Sequence, residues 1–301
     1  MQIILSPLRA LAGTALLLAL VAPAAAHQAA PTLAAPTPAI SIAPASEAGA
    51  PPYADLADLM LASPVVADAT IRSAARIKPT EAPGLSPGAV RVYVQADADA
   101  LIRGPAGLPP RIGYLLDLPF DARGRIPNLK KRRVLVFARP VPGAPAQLQL
   151  AASDGQIAWT PATEVRVRRI ARELVAADAP PAIAGIGGAF HVPGALPGEG
   201  ETQIFLRTAD AEPVSLSVLR RPGEAPRYAV ALSEIVDESA GPPARDTLLW
   251  YRLACGLPRA LPDAATAQLN EVDAGKARED YAFILDRLGP CTRQRAATAS
   301  S

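Results

Sequence analysis

The chain holds only two histidines, His27 and His191. His27 lies in the stretch APAAAHQAA, where an export leader would be cut. A cut after Ala26 would make His27 the new N-terminus. An N-terminal histidine beside a second imidazole is the ligand set of a copper-binding histidine brace. Such a site needs both ligands held rigidly, because metal binding must exceed the cost of ordering them. Here His27 opens a long Ala/Pro segment, and His191 stands far away beside Pro193 and Gly194. The sequence therefore predicts no metal site, and it calls for no cofactor.

Gly84-Leu85-Ser86-Pro87-Gly88 matches the G-x-S-x-G pattern of a hydrolase nucleophile elbow. That elbow uses the backbone N–H after the serine to stabilise an oxyanion. Pro87 has no N–H to give. The segment before Gly84 does not read as a strand, and the segment after Gly88 does, the reverse of what an elbow needs. A Pro/Gly turn is the expected structure.

The most unusual stretch is Ile186-Gly187-Gly188-Ala189-Phe190-His191, followed by Pro193-Gly194 and by Gly198-Glu199-Gly200-Glu201. His191 close to Glu199 and Glu201 could act as an acid/base group. A hairpin with a solvated loop would explain the same residues without chemistry, the glycines supplying left-handed geometry. Glu234, Asp237 and Glu238 form a second acidic cluster. Paired carboxylates at a suitable separation hydrolyse glycosides. Sequence spacing does not supply that separation, and no sugar-stacking aromatic lies nearby, so a solvated loop or helix start is expected.

Lys130, Lys131, Arg132 and Arg133, with Arg123 and Arg125 before them, make the densest basic group. At a strand entry such residues could bind an anionic polymer or acidic lipid. Positive side chains also protect strand edges from pairing with other chains. Arg166, Arg168, Arg169 and Arg172 would extend the patch if the two faces met. Trp159 and Trp250 read as packing residues, Trp250 sharing a helix with Leu248, Leu249, Tyr251 and Leu253.

These residues need elements to position them. The segment from about Ser63 to Ser153 holds apolar runs at Val65–Ile77, Arg91–Gln95, Arg111–Leu118, Arg132–Arg139 and Gln147–Leu150, joined by Pro/Gly-rich turns. Val65–Ile77 is ambiguous, since its alanines also permit a helix. Five strands would suit a small closed barrel, which removes exposed edges, or an open sheet. A helix follows: Thr160 caps it, Pro161 fills the first position, and Val167, Ile170, Ala171, Leu174 and Val175 recur at helical spacing. Pro180-Pro181 stops it. Ala182–Val192, Gln203–Thr208, Val214–Arg220 and Arg227–Leu232 then read as an antiparallel meander with turns between. Thr247–Cys255 and Ala274–Leu288 close the chain as helices. The fold class is α+β and β-rich: a five-stranded barrel or sheet, then a meander with flanking helices.

Met1–Ala26 has a basic Arg9, an apolar run of about 12 residues and a small-residue cleavage site, which together read as an export leader. The run is shorter than the roughly 20 residues a membrane span needs, and no later stretch reaches that length. Residues 27–53, rich in Ala and Pro, read as a disordered tether. The β-rich region then spans 54–155, the α+β region 156–291 and a frayed tail 292–301. Losing the leader removes one of 30 basic residues and leaves 28 acidic ones. The near-neutral balance gives no electrostatic case for nucleic acid. Cys255 and Cys291 are the only cysteines. In an exported chain they should form one disulfide, worth about 3–4 kcal/mol in the chain-entropy picture.

The resulting expectation is a protein of the periplasm or exterior, without a membrane span in its mature part. It should act as a non-enzymatic binding or accessory module for an envelope protein or anionic polymer. A carboxylate-dependent hydrolase is the alternative.

Overall fold

The computed structural model describes residues 50–105, 107–121, 123–232 and 241–295. His27, the leader, most of the tether, the cluster of Glu234, Asp237 and Glu238, and residues 296–301 lie outside them.

The ambiguous run is a strand, β1 (Val65–Arg76). It is followed by β2 (Ala89–Arg103), β3 (Arg111–Pro119), β4 (Arg133–Val141) and β5 (Ala144–Leu150). The five close in the order β1-β2-β3-β5-β4 and back to β1; β3 and β5 run parallel, and the other pairs antiparallel. This closed Greek-key barrel leaves few free edges. It hosts many functions and assigns none. A short β6 (Gln156–Ala158) adds to β4. The elbow-like Gly84–Gly88 segment is a turn between β1 and β2, with Gly84 and Gly88 both at positive φ and Ala89 N–H donating to Ser86 O.

Strand pattern explains the closure. Val90, Val92, Val94 and Ala96 alternate inward from β2, meeting Val134, Val136 and Ala138 from β4 and Ile112, Tyr114 and Leu116 from β3. The alternate residues of β4, Leu135 and Phe137, point the other way and are also fully buried. They belong to a second apolar cluster outside the barrel. Burial on both faces is why β4 reads as an unbroken apolar run.

A helix not anticipated from the sequence, α1 (Tyr53–Ala62), covers that side. Its Tyr53, Leu56, Leu59 and Met60 join the second cluster. Helix α2 (Pro161–Glu173) adds Val167 and Ile170; Thr160 Oγ1 accepts from Thr163 N–H at 3.1 Å, the expected cap. The meander forms as β7 (Ile183–Pro193), β8 (Gly200–Thr208), β9 (Val214–Arg220) and β10 (Arg227–Ala231), in that spatial order. Helices α3 (Leu248–Gly256) and α4 (Glu271–Leu288) pack on its inner face. Each large side chain in such a cluster contributes about 1.5–3 kcal/mol on burial. Trp250 is buried, its Nε1–H donating to Leu288 O at 2.8 Å. Among the described residues, no helix is long and apolar enough to cross a membrane.

Cys255 at the end of α3 is bonded to Cys291 just beyond α4, with Cα atoms 5.1 Å apart. The chain then turns back onto α1. Arg293 pairs with Asp58 at 2.6 Å, Arg295 with Asp154 at 2.5 Å, and the N–H groups of Gln294 and Arg295 donate to Asp55. Residues 293–295, read as the start of a tail, thus tie helix to barrel.

Candidate functional site

His191 sits on β7 directly opposite Thr202 on β8. Thr202, Ile204 and Leu206 face inward toward α4, while Glu201, Gln203, Phe205 and Arg207 alternate outward. The inward Thr202 is fully buried beside the fully buried Asp280 of α4. Its hydroxyl donates to the Asp280 carboxylate, and its oxygen lies 2.9 Å from His191 Nδ1. A hydroxyl has one proton to give, so His191 must donate from Nδ1. The other Asp280 oxygen accepts from Arg220 Nε at 2.6 Å. Arg220 also reaches Glu279 at 3.0 Å, and Lys276 donates to Glu279 at 2.9 Å. The Lys276 hydrogen bond, helped by the charges of Arg220 and His191, holds the Glu279 carboxyl below its ordinary range.

This arrangement can fix an imidazole, and His191 itself is tightly held. A Cβ on Gly200 would lie 2.7 Å from its Cε1 and 3.0 Å from its Nε2. The expected carboxylate partners are elsewhere. Glu199 caps its own loop, accepting from Leu196 N–H at 3.2 Å and folding against Gly194. Glu201 is exposed on the outer face and accepts from Gln203 Nε2. His191→Ala should therefore cost about 1 kcal/mol, the loss of one hydrogen bond, in a urea titration. Asp280, Thr202 and Arg220 were not signalled as site residues. Thr202 occupies a core-facing position in an otherwise apolar alternation, and Asp280 lies beside Ala277, Tyr281 and Ile284 on the buried stripe. Those two misfits were the available signals.

The basic group divides. Arg133 is committed: it pairs with the buried Asp68, lies 3.8 Å from Glu164, and stacks 3.8 Å over the Trp159 ring. Lys130, Lys131 and Arg132 are exposed at the turn into β4, and among the described residues none forms an ion pair. The helical arginines turn to local partners: Arg168 to Glu164, Arg169 to Glu173 and to Asp246 O, Arg172 to Arg168 O, Arg166 to Pro51 O. Lys131 holds φ at 66°, a strained conformation for a side chain with a Cβ. Lys131→Gly should stabilise the fold by about 0.5–1 kcal/mol, readable as a raised urea midpoint at unchanged slope.

The outer face of the meander carries a third feature. Phe190 and Phe205 are 36% and 44% exposed, with ring centroids 5.7 Å apart. Val192 and Leu219 flank them, also exposed. Arg207 follows Phe205 on the same face and reaches across β7 where Gly185 leaves room; a Cβ there would be 2.9 Å from its guanidinium. Beyond lies a cleft of about 380 Å³, bounded by Ala184–Gly187 on one side and by Gly256, Leu257, Pro258, Pro262, Ala264 and Ala265 on the other.

Comparison of the chain with models of known protein families finds no match, and comparison with curated proteins finds none either.

Proposed function

We propose that the chain is an exported envelope module that works by binding a protein partner on the outer face of its meander sheet. The Phe190–Phe205 pair carries the reading. Two aromatic rings left in solvent on a sheet whose other face is fully packed mark an interaction surface, because exposed contiguous apolar area is costly to keep without use. Glu201, Gln203 and Ser217 place polar groups around the rings, as at the rim of a non-obligate interface. The Cys255–Cys291 bond and the leader-like N-terminus support an oxidising compartment. The commitment of His191 to Thr202 supports a structural role for the one histidine in the described chain.

A photo-crosslinking amino acid at Gln203, which pairs with Phe190 across the sheet, tests this in the cells that make the protein. The reading predicts a discrete protein adduct from Gln203 and none from Val272, which is 81% exposed on α4. Equal adducts from both positions, or none from Gln203, would remove it. Salt-sensitive retention on anionic envelope polymer, lost when Lys130, Lys131 and Arg132 are replaced by Ala, would move the surface to that basic turn.

A further inference from the structure

The outward residues of β8 run Glu201, Gln203, Phe205, Arg207. An acid and a base stand at opposite ends, about 20 Å apart at the strand rise of roughly 3.4 Å per residue. The order is its own complement: turned end for end, Glu201 falls on Arg207 and Gln203 on Phe205. Strand β7 repeats the relation in shape. Phe190 stands opposite Gln203, and Gly188 stands opposite Phe205. The same turn brings Phe190 onto Gly188. The Phe190 ring projects into solvent, and a Cβ on Gly188 would meet nothing within 4 Å, so the space above that glycine is open.

From this we infer that the partner seated on the outer face of the meander is a second copy of this chain. The two sheets pack face to face about a two-fold axis that lies between them and crosses β8 near Ile204. Strand β8 of one copy then runs antiparallel over β8 of the other. Aligned sheet packing allows this, since mean strand directions lie within about 30° of each other. The inference rests on the binding reading above and names the partner. Charge selects the axis. Turned about the strand direction instead, Glu201 would meet Glu201 and Arg207 would meet Arg207, a costly juxtaposition. Turned across the strands, the same residues form two opposite pairs. Both are exposed, and among the described residues neither makes an ion pair that docking would have to break; Glu201 only accepts from Gln203 at 3.2 Å. Shape agrees: Phe190 and Phe205 of the two copies gather as four rings, each Phe190 filling the space above a Gly188. A self-complementary patch is what a two-fold interface requires. Strands of eleven, nine, seven and five residues bound the face. At a spacing of about 4.8 Å its flat footprint is about 500 Å², toward the small end of stable interfaces, so the dimer is a reversible one.

The test is sedimentation of the full exported protein and of two charge-reversed variants. The wild type should be mainly dimeric at about 100 µM, as suits an interface of this size. Glu201→Arg alone and Arg207→Glu alone should each raise the dissociation constant at least about tenfold, because two attractive contacts become two repulsive ones. An equimolar mixture of those two variants should recover the dimer, since every reversed residue then meets its opposite. That recovery also shows that both variants are folded. Gly188→Val, whose Cβ meets nothing within its own copy, should weaken the dimer by filling the space Phe190 needs. A monomeric wild type at that concentration would overturn the inference. So would a dimer indifferent to either single reversal, or a mixture that stays monomeric. If the Gln203 photo-adduct then joins a different protein, only the self-pairing fails; if there is no adduct, the binding reading fails with it.

Discussion

Asp280→Ala should lower the unfolding free energy by about 3–5 kcal/mol, the cost of removing one partner from a buried charged pair. The carboxylate is fully buried and takes bonds from Thr202 and Arg220. Truncation leaves a buried hydroxyl without an acceptor and a largely buried guanidinium with only the more exposed Glu279. Asp280→Asn keeps an acceptor for Thr202 and should cost less. The contrast with His191→Ala, at about 1 kcal/mol, separates the roles: the imidazole hangs on the network, and Asp280 anchors it. Urea titrations of the three variants would show the order. A loss for His191→Ala as large as that for Asp280→Ala would contradict it.

Replacing Cys255 and Cys291 together by Ala should cost about 3–4 kcal/mol through the unfolded chain's regained freedom. Two further consequences follow from placement. Both cysteines pack against the cluster that joins the helices to the meander. The bond also delivers Arg293 and Arg295 to Asp58 and Asp154. The oxidised protein should therefore resist cleavage after Arg293 and Arg295 by trypsin, and the double variant should be cut there first. Equal cleavage of both would show that the ion pairs hold the segment without the bond.

The strands were legible because each pleat writes its burial into alternate residues. Val90, Val92 and Val94 of β2 do so, as do Leu216 and Val218 of β9. Strand β4 was legible for another reason, its unbroken apolar run. Helix α2 announced itself through Thr160, which caps as expected, and Thr247 caps α3 in the same way. Helix α1 stayed hidden. It follows a Pro-rich stretch and is buried on nearly all sides, Asp55 included, so it shows no amphipathic stripe. Its Asp55 and Asp58 find their partners, Arg293 and the N–H groups of Gln294 and Arg295, at the far end of the chain.

The site was legible in part for the same reason. His191 stood out as a rare residue, yet Asp280 is 78 positions from the Thr202 it bonds. Local spacing pointed to Glu199 and Glu201, which the hairpin sends to other contacts. The basic run looked uniform, but a buried Asp68 and the Trp159 ring claim Arg133 alone. Arg207 carried no signal at all, because its lack of an ion pair among the described residues is a property of its neighbours in space.

The central claim is that the outer sheet face does the work and the buried histidine network only supports it. The yield of the Gln203 photo-adduct, compared among wild type, His191→Ala and Phe190→Ser/Phe205→Ser, tests this most directly. The account predicts an adduct that survives loss of His191 and disappears with the two rings. An adduct abolished by His191→Ala in a folded protein, and indifferent to the serine pair, would contradict it.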